Sequence, residues 1–278
     1  MSIRFGGRVN IEDVGVGNKL FLYFAAIIHH YNNGTRVIAD GRSPMKKIRA
    51  LIKIVSNNVT HNLYYKTTPK NPGPSKNIPS VYNKETNELI YLGEGNTHIF
   101  SNYYHNTSNI VKHEELVRSC LDLEFFKKDA LKDISFTVEP DDVLCTIRIG
   151  DFVRNKLLIH PDYYLSILRE ILKKRQIGKI YLSIFNNYEG LTEKYISFFK
   201  EFDDKIVVLT NNNEHHDFYL PSLFKTIIVS NSTFHWWSVF LNGKNSISTY
   251  IPSDFGILKP EMFPSTKTRD IKLINSLD

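Results

Sequence analysis

Short runs of branched apolar residues alternate with longer, helix-like segments through the second half of the chain, and this alternation restricts the fold more than any other feature. Runs rich in Ile, Val and Leu suit parallel strands that are covered on both faces. The segments between them have the three- and four-residue apolar spacing of helices. The predicted strands are Val143–Ile147, Lys179–Ile184, Ile206–Leu209, Ile227–Ser230 and Ser246–Ile251, and the predicted helices are His160–Arg175, Leu191–Phe202, Phe218–Phe224 and Thr233–Leu241. This order predicts an α/β fold with a parallel sheet.

The first half of the chain has the same alternation in a less regular form. A short strand from Val9, a Gly-Val-Gly-Asn turn at residues 15–18 and a helix that reaches Tyr31 are predicted first. A strand over Arg36–Ala39 and a basic helix over Met45–Val55 follow them. Two such α/β units in one chain predict a doubly wound, two-domain architecture with a cleft between the domains.

Three further segments divide the chain. Tyr65–Asn83 holds several prolines and is predicted to be a long surface loop, whereas His113–Leu131 is predicted to be a helix. The acidic turn at Glu139–Asp142 marks the domain boundary, which gives an N-terminal domain over residues 1–139 and a C-terminal domain over residues 140–278. Because long loops often carry binding functions, the proline-rich loop is the expected contributor to substrate recognition.

Composition and charge narrow the possible functions. The 278 residues carry a net charge of +6 that is spread along the chain, which gives weak support for an anionic ligand. Cys120 and Cys145 lack Cys-x-x-Cys spacing, so we expect two buried free thiols in a reducing compartment. No apolar run approaches the roughly 18–20 residues of a membrane span, and the N-terminal residues lack the pattern of a signal peptide. A cytoplasmic protein without a membrane span is therefore expected.

The segment Thr146–Asp151 is the first candidate for chemistry. Arg148 alternates with apolar residues at the carboxyl end of a predicted strand, where ligands of open α/β sheets bind. A guanidinium at that place offers two parallel donors to a phosphate, and Asp151 can hold it in position. The same spacing is equally typical of a purely structural Arg–Asp pair.

The segment Val229–Trp237 is the second candidate. It is a strand that ends in small hydroxyl residues at the start of a helix. Ser232 or Thr233 can cap that helix, and the same geometry can hold a phosphate through hydroxyl and backbone N–H groups. Both tryptophans of the chain lie here and are expected to pack in the core.

Other sites are less well supported. The Gly15-x-Gly17 pair lacks both the third glycine of a dinucleotide fingerprint and the Gly-Lys-Ser/Thr of a P-loop, which argues against NAD and ATP. No histidine pair has metal-ligand spacing, and there is no nucleophile elbow. Candidate carboxylates are Asp13, Asp40, Asp151 and Asp217. We therefore expect neither a metal nor a cofactor.

Taken together, these segments resemble the α-1,2-fucosyltransferases of glycosyltransferase family 11. The family pattern has a glycine turn followed by Asn-Gln-Leu-Phe-x-Tyr, then His-x-Arg-x-Gly-Asp-Tyr, and then Asn-Ser-x-Phe-Ser-Trp-Trp. The matching segments here, in order, are Gly15–Tyr23, Ile99–Tyr104, Ile147–Phe152 with Asp162–Tyr164, and Asp217–Leu220 with Asn231–Trp237.

The resemblance implies a GT-B fold, in which two Rossmann-like domains face a central cleft, with the N-terminal domain on the acceptor side and the C-terminal domain on the donor side. It also implies an inverting, metal-independent transfer of a sugar from a nucleotide-sugar donor to a glycan acceptor. The residue that matches the pyrophosphate-binding arginine of the family is Arg148. We assign catalytic roles to Arg148, Asp151 and Asp13, and donor-binding roles to Gly15, Gly17, Asn18, Thr146, Asp217, Asn231, Ser232, Thr233 and Phe234.

Departures from the family pattern leave the donor open. Thr146 stands where the family has a histidine, Ile149 where it commonly has a second arginine, and Lys19 where it has a glutamine. GDP-fucose is the first expectation, and a UDP-sugar such as UDP-xylose is the alternative. A non-catalytic basic module that binds anionic glycan or nucleic acid is a further alternative, which the lysines at positions 46, 47 and 53 would suit. Under the enzyme hypothesis neither nucleic acid nor a membrane is an expected partner.

Overall fold

The computed structural model describes residues 2–5, 15–33, 36–39, 81–83, 88–90, 96–99, 106–119, 127–128, 130–132, 134–185, 190–209, 214–243, 246–253, 266–269 and 273–274. The chain divides into two compact units, Met1–Phe126 and Lys127–Asp278. Among the described helices, none is long and apolar enough to span a membrane.

The first unit contains a small parallel sheet. Its strands are β1 (Ser2–Phe5), β2 (Arg36–Ala39) and β5 (Asn96–Ile99), in the order β2-β1-β5. Helix α1 (Val16–Asn33) lies between β1 and β2 in the chain, where the sequence predicts a helix, and it buries Leu20, Phe21, Phe24 and Ile28 on one face. Strand β1 itself was not predicted. The strand predicted from Val9 and the helix predicted over Met45–Val55 lie outside the described residues.

Two predictions for the first unit are wrong in part. Within the segment predicted as a loop, Val81–Asn83 forms strand β3, which pairs antiparallel with β4 (Glu88–Ile90). This strand starts after the last proline, where a β-branched and an aromatic residue favour extended backbone. The helix predicted over His113–Leu131 begins one residue later, as α3 (Glu114–Ser119), and a further helix, α2 (Thr107–Lys112), precedes it. Elsewhere in the described part of the predicted segment, residues 127, 128 and 130 are helical.

The second unit is built on a six-stranded parallel sheet. Its strands are β6 (Val143–Arg148), β8 (Ile180–Phe185), β9 (Ile206–Leu209), β10 (Thr226–Ile228), β11 (Ser248–Pro252) and β12 (Thr266–Arg269), in the spatial order β12-β11-β10-β6-β8-β9. The first strand of this sheet in chain order, β6, therefore lies between the second, β8, and the fourth, β10. This is the doubly wound order in which the chain direction across the sheet reverses between β6 and β10.

Helices cover both faces of this sheet. They are α4 (Gly150–Arg154), α5 (Asp162–Leu172), α6 (Leu191–Ser197), α7 (Glu214–Tyr219) and α8 (Thr233–Asn242). Residues of α5 and α6 share one core with Cys145 and Ile147 of β6. Because side chains alternate along a strand, Thr146 and Arg148 point to the other face. Ser183 of β8, which is paired with Thr146, contacts α7 there.

The strands and helices predicted for this unit are present, with shifted ends. The helix predicted over Phe218–Phe224 is wrong in position: α7 ends at Tyr219, and a 3₁₀ turn with Pro221 follows it over Leu220–Leu223. Strand β10 ends at Ile228, two residues earlier than predicted. Four short elements were not predicted, because each is too short to show a period: α4, strand β12, and the antiparallel pair β7 (Leu158–Ile159) and β13 (Leu273–Ile274).

The thiol of Cys145 is free and buried in this unit, as predicted, and burial raises its pKa. Cys120 lies outside the described residues. Trp236 and Trp237 are fully buried in α8, where the ring of Trp236 stacks on Phe240 at a centroid distance of 4.9 Å. The prediction that both tryptophans pack in the core is therefore confirmed.

Candidate active site

The candidate site lies at the carboxyl ends of β6 and β10. Their last paired residues are Cys145 and Ile228, after which the two strands separate. Connections from these strands leave toward opposite faces of the sheet, because β6 continues to α4 and α5 and β10 continues to α8. Such a point forms a crevice that binds ligands in open α/β sheets. Most of the residues singled out in the second half of the sequence lie beside this crevice.

Arg148 and Asp151 form a two-point contact there. Nε of Arg148 donates to Oδ1 of Asp151 at 2.9 Å, and Nη2 donates to Oδ2 at 3.3 Å. The strand ends at Arg148 and α4 begins at Gly150, which brings the two side chains together across three residues. The guanidinium also lies 5.6 Å from the ring of Phe152. The predicted contact is present, and it leaves the side chain of Arg148 only 16% exposed.

The connection between β10 and α8 is held by hydrogen bonds from several elements. The N–H of Val229 donates to the carbonyl oxygen of Tyr250 on β11 at 2.8 Å. The N–H of Ser230 donates to Oγ1 of Thr146 at 3.1 Å, and Nδ2 of Asn231 donates to the carbonyl oxygen of Leu157 at 2.9 Å. This connection is therefore fixed both to the sheet and to the loop after α4.

Two adjacent tyrosines of α5 support the same crevice from below. The hydroxyl of Tyr164 donates to the carbonyl oxygen of Thr146, and the hydroxyl of Tyr163 donates to that of Val229, each at 2.9 Å. Both hydrogen bonds are buried, and burial raises the pKa of Tyr164 well above its ordinary value. The pair thus joins the ends of the two strands that border the crevice.

His235 is a buried residue of this site that sequence reasoning did not assign. Its Nδ1 lies 2.6 Å from Oγ of Ser230, whose N–H contacts Thr146. Burial, and then the positive charge of Arg148, lower the pKa of His235 from near 6.5 to about 3. The signal was present, since the family pattern has serine at this position. The family pattern has a histidine where this chain has Thr146. The imidazole of His235 is linked to Thr146 through Ser230, so an imidazole is present in this hydrogen-bonded group after all.

The residues assigned to donor binding fall into two groups. Asn231 and Thr233 are partly exposed, as are Arg148 and Asp151. The others in this unit are buried side chains, at most 5% exposed: Thr146, Asp217, Ser232 and Phe234. The contacts of these four side chains are therefore made within the protein.

Two of the buried side chains have a specific partner or position. Oδ1 of Asp217 accepts a hydrogen bond from the hydroxyl of Ser183 at 3.0 Å. Ser232 is the N-cap residue of α8, but its side chain makes no capping hydrogen bond. The predicted cap position is therefore confirmed, while the predicted hydroxyl contact is not found.

The glycine segment of the first unit differs from the prediction. Helix α1 already begins at Val16, so Gly17 and Asn18 lie in its first turn rather than in a turn before it. Among the described residues, Gly190 is the only glycine with a positive φ, so Gly15 does not use that conformation. Asp13 and Asp40 lie outside the described residues.

The described part of the chain contains no group of three or more His, Cys, Asp and Glu side chains that could hold a metal ion. The expected independence from metals and cofactors stays a prediction that only an experiment on the protein can test.

Comparison with known proteins gives one match in sequence and several matches in fold. No protein-family model matches the chain. The α-1,2-colitosyltransferase of Escherichia coli is 26% identical over 161 residues, which are 55% of this chain and 54% of that protein. The chain thus spans about half the length of the curated relative it matches.

Solved fucosyltransferases are similar in fold. NodZ α-1,6-fucosyltransferase soaked with GDP-fucose matches with a TM-score of 0.53 at 11% identity, over 89% of this chain and 93% of that one. Selenomethionine NodZ from Bradyrhizobium matches with a TM-score of 0.50 at 12% identity, over 86% of this chain and 91% of that one. The resemblance to fucosyltransferase-like glycosyltransferases that the sequence motifs indicate is confirmed by the sequence match to the colitosyltransferase together with this similarity of fold.

Proposed function

We propose that this protein is a glycosyltransferase that moves a sugar from a nucleotide-sugar donor to a hydroxyl group of a glycan, within a GT-B architecture. The observation that carries the proposal is the oriented Arg148 guanidinium at the point where the chain direction across the sheet reverses. The sequence similarity to a colitosyltransferase and the fold similarity to NodZ support the same class of reaction.

The chemistry requires stabilisation of an anionic leaving group. The acceptor oxygen attacks the anomeric carbon, the bond from that carbon to the phosphate oxygen breaks, and the nucleoside diphosphate leaves with the bonding electrons. In our proposal the attack inverts the anomeric centre. Arg148 would bind the diphosphate, because a planar guanidinium donates to two phosphate oxygens at once. The start of α8 would lie along the donor, because first-turn N–H groups favour anions.

The two assigned carboxylates have different roles in this scheme. Both oxygens of Asp151 already accept from Arg148, so Asp151 orients the guanidinium rather than taking a proton from the acceptor. Asp13 then remains the candidate general base. A strong base is not essential, because the departing diphosphate lowers the need for a fully developed nucleophile.

GDP-fucose is the donor we favour. Thr146 raised doubt about the nucleotide base, because it replaces a histidine of the family pattern. Its hydroxyl, however, accepts a hydrogen bond from the N–H of Ser230, and its side chain is buried. A residue in that position is suited to supporting the site rather than to lining it, so the replacement does not by itself change the base. GDP-fucose is also the compound soaked into the NodZ α-1,6-fucosyltransferase crystal whose fold is similar to that of this chain.

A donor panel tests the proposal directly. The protein is incubated with GDP-fucose, other GDP-sugars and UDP-sugars, with and without a mixture of oligosaccharide acceptors, and release of GDP or UDP is measured. Release that requires both a donor and an acceptor is the expected result. If no donor releases nucleotide under any condition, and neither GDP nor UDP raises the thermal unfolding midpoint, the proposed function is wrong.

A further inference from the structure

Lys156 has an unusual backbone conformation beside the candidate site. Its φ is 58°, which is the left-handed region, and among the described residues it is the only one other than glycine with a positive φ. The N–H of Lys156 donates to the carbonyl of Val153 at 3.1 Å, and the N–H of Leu157 donates to that of Phe152 at 2.8 Å. These two hydrogen bonds form a Schellman motif at the end of α4, in which Lys156 occupies the left-handed position.

Glycine is the usual residue at that position. A side chain in the left-handed conformation is strained by contact of Cβ with the backbone, and this strain disfavours residues other than glycine and asparagine. Strained positions persist where the surrounding structure fixes them, and they are concentrated at functional sites. A functional role of the lysine side chain would explain why the strain at this position is retained.

The strained turn lies between two residues of the site. The carbonyl of Leu157, next to Lys156, accepts from Nδ2 of Asn231 at 2.9 Å. The ring of Phe152, at the other end of the same motif, lies 5.6 Å from the guanidinium of Arg148. Lys156 itself is exposed. The turn thus holds an exposed lysine close to the connection that leads into α8.

A further cation would complement the negative charge of a nucleoside diphosphate bound at this site. Arg148 contacts both oxygens of Asp151, so the formal charges of this pair cancel. Ile149 is fully buried and has no charge. A nucleoside diphosphate carries at least two negative charges. Arg148 can donate hydrogen bonds to the phosphates, but the Arg148–Asp151 pair has no net positive charge to balance them. A nearby ammonium would stabilise the diphosphate in both the bound and the departing state.

We propose that Lys156 is a second phosphate-binding cation of this site, and that the Schellman turn presents its ammonium group to the diphosphate of the nucleotide ligand. This inference rests on the proposed function. The strain at Lys156 is then retained because the position of this lysine serves binding, while the end of α4 would be more stable with glycine.

Three variants separate charge from strain. Lys156→Gln removes the charge and keeps a side chain in the left-handed region. Lys156→Gly removes both the charge and the strain. Arg154→Gln is the matched control, because it removes one positive charge from an exposed residue at the end of α4, two positions before Lys156. Binding of GDP and of UDP is measured by calorimetry for each variant, and the thermal unfolding midpoint is measured without ligand.

We expect both variants of Lys156 to weaken binding of the preferred nucleotide about 10-fold, as for the loss of one charge-assisted contact. Lys156→Gly should at the same time raise the unfolding midpoint by about 2 °C, so its weaker binding cannot be attributed to misfolding. Arg154→Gln should retain the affinity of the wild type to within about twofold. The differences at Lys156 should shrink at high salt, because ions screen the contact.

Two results overturn the inference while the proposed function stands. One is a Lys156→Gly variant that binds the nucleotide as tightly as the wild type. The other is an equal loss in Arg154→Gln, which would indicate a general effect of net charge. If the wild-type protein binds neither GDP nor UDP, the proposed function itself fails, and the inference fails with it.

Discussion

Tyr164 donates its hydroxyl to the carbonyl oxygen of Thr146 at 2.9 Å, two residues before the arginine of the candidate site. Where β6 and β10 separate, the strand carbonyls lose partners in the sheet, and a buried carbonyl without a hydrogen bond is unfavourable. The hydroxyl of Tyr164, in helix α5, takes the place of the backbone N–H that would otherwise donate to the Thr146 carbonyl within the sheet. It thereby links the packing of α5 to the position of the end of β6.

We expect Tyr164→Phe to lower the free energy of unfolding by about 1–2 kcal/mol, because the Thr146 carbonyl stays buried without its donor. Tyr181→Phe is the control. Its hydroxyl makes a longer contact of 3.3 Å, to the partly buried carbonyl of Thr137. Urea denaturation of the two variants measures the difference. Equal losses of stability would show that the Tyr164 hydrogen bond has no special weight.

The guanidinium geometry of Arg148 makes a second prediction. Arg148→Lys keeps the charge but loses the planar pair of donors, so it should lose most of the transfer activity. Arg148→Ala should lose activity by about 10²–10³-fold, as for removal of one group that stabilises developing negative charge. Arg154→Lys is the matched control, since that arginine lies in the same helix-and-turn segment without the contact to Asp151. Wild-type turnover in Arg148→Ala would remove this residue from the mechanism.

The features of this structure that were predicted correctly depend on residues that lie close together in the sequence. Five of the six strands of the large sheet were predicted, because Ile, Val and Leu runs reflect burial on both faces of a sheet. The Arg148–Asp151 contact was predicted because three residues separate the pair at the end of a strand. Both depend on neighbours in the chain, which a single sequence displays directly.

The remaining features depend on residues that are distant in sequence or on elements too short to show a period. Tyr163 bonds to Val229 across 66 positions, and no spacing indicates such a contact. Helix α4 has only five residues, so neither its end nor the positive φ of Lys156 follows from periodicity. His235 was missed for another reason: the sequence shows that it departs from the serine of the family pattern, but its interactions with Ser230 and with the charge of Arg148 arise only in the folded chain.

The buried imidazole predicts how stability changes with pH. The pKa of His235 is lowered from near 6.5 to about 3 in the folded state, so the unfolded chain binds a proton between these values and the folded protein does not. Stability associated with His235 is therefore complete above pH 6.5 and is lost as the pH falls toward 3. The expected slope approaches 1.4 kcal/mol per pH unit in that range.

His235→Gln is the variant that tests this effect, since glutamine retains hydrogen-bonding groups but does not titrate. The free energy of unfolding is measured for both proteins from pH 4 to pH 8. The difference between wild type and variant should shrink as the medium becomes more acidic. A difference in stability that does not change with pH would contradict a lowered pKa of His235 in the folded protein.

Metal independence is a further expected outcome. In the proposed mechanism Arg148 and the start of α8 stabilise the departing diphosphate, which is the function a divalent cation has in metal-dependent transferases. Incubation with EDTA should therefore leave the transfer rate essentially unchanged. A rate that falls after chelation and returns on addition of Mn²⁺ would contradict this part of the mechanism.

The identity of the nucleotide base is the last prediction. Thr146 is buried and accepts from Ser230, so the replacement of the family's histidine need not alter the surface that meets the base. We therefore expect GDP to bind more tightly than UDP, and calorimetry with each nucleotide in excess measures the ratio. A Thr146→Val variant distinguishes between a residue that only positions Ser230 and one that contacts the nucleotide base, because it removes the hydroxyl while keeping the shape of the side chain. It should weaken binding of GDP and UDP by the same factor if Thr146 only positions Ser230. A clear preference of the wild type for UDP would instead indicate a UDP-sugar donor, and a change of that preference in Thr146→Val would place this residue against the base.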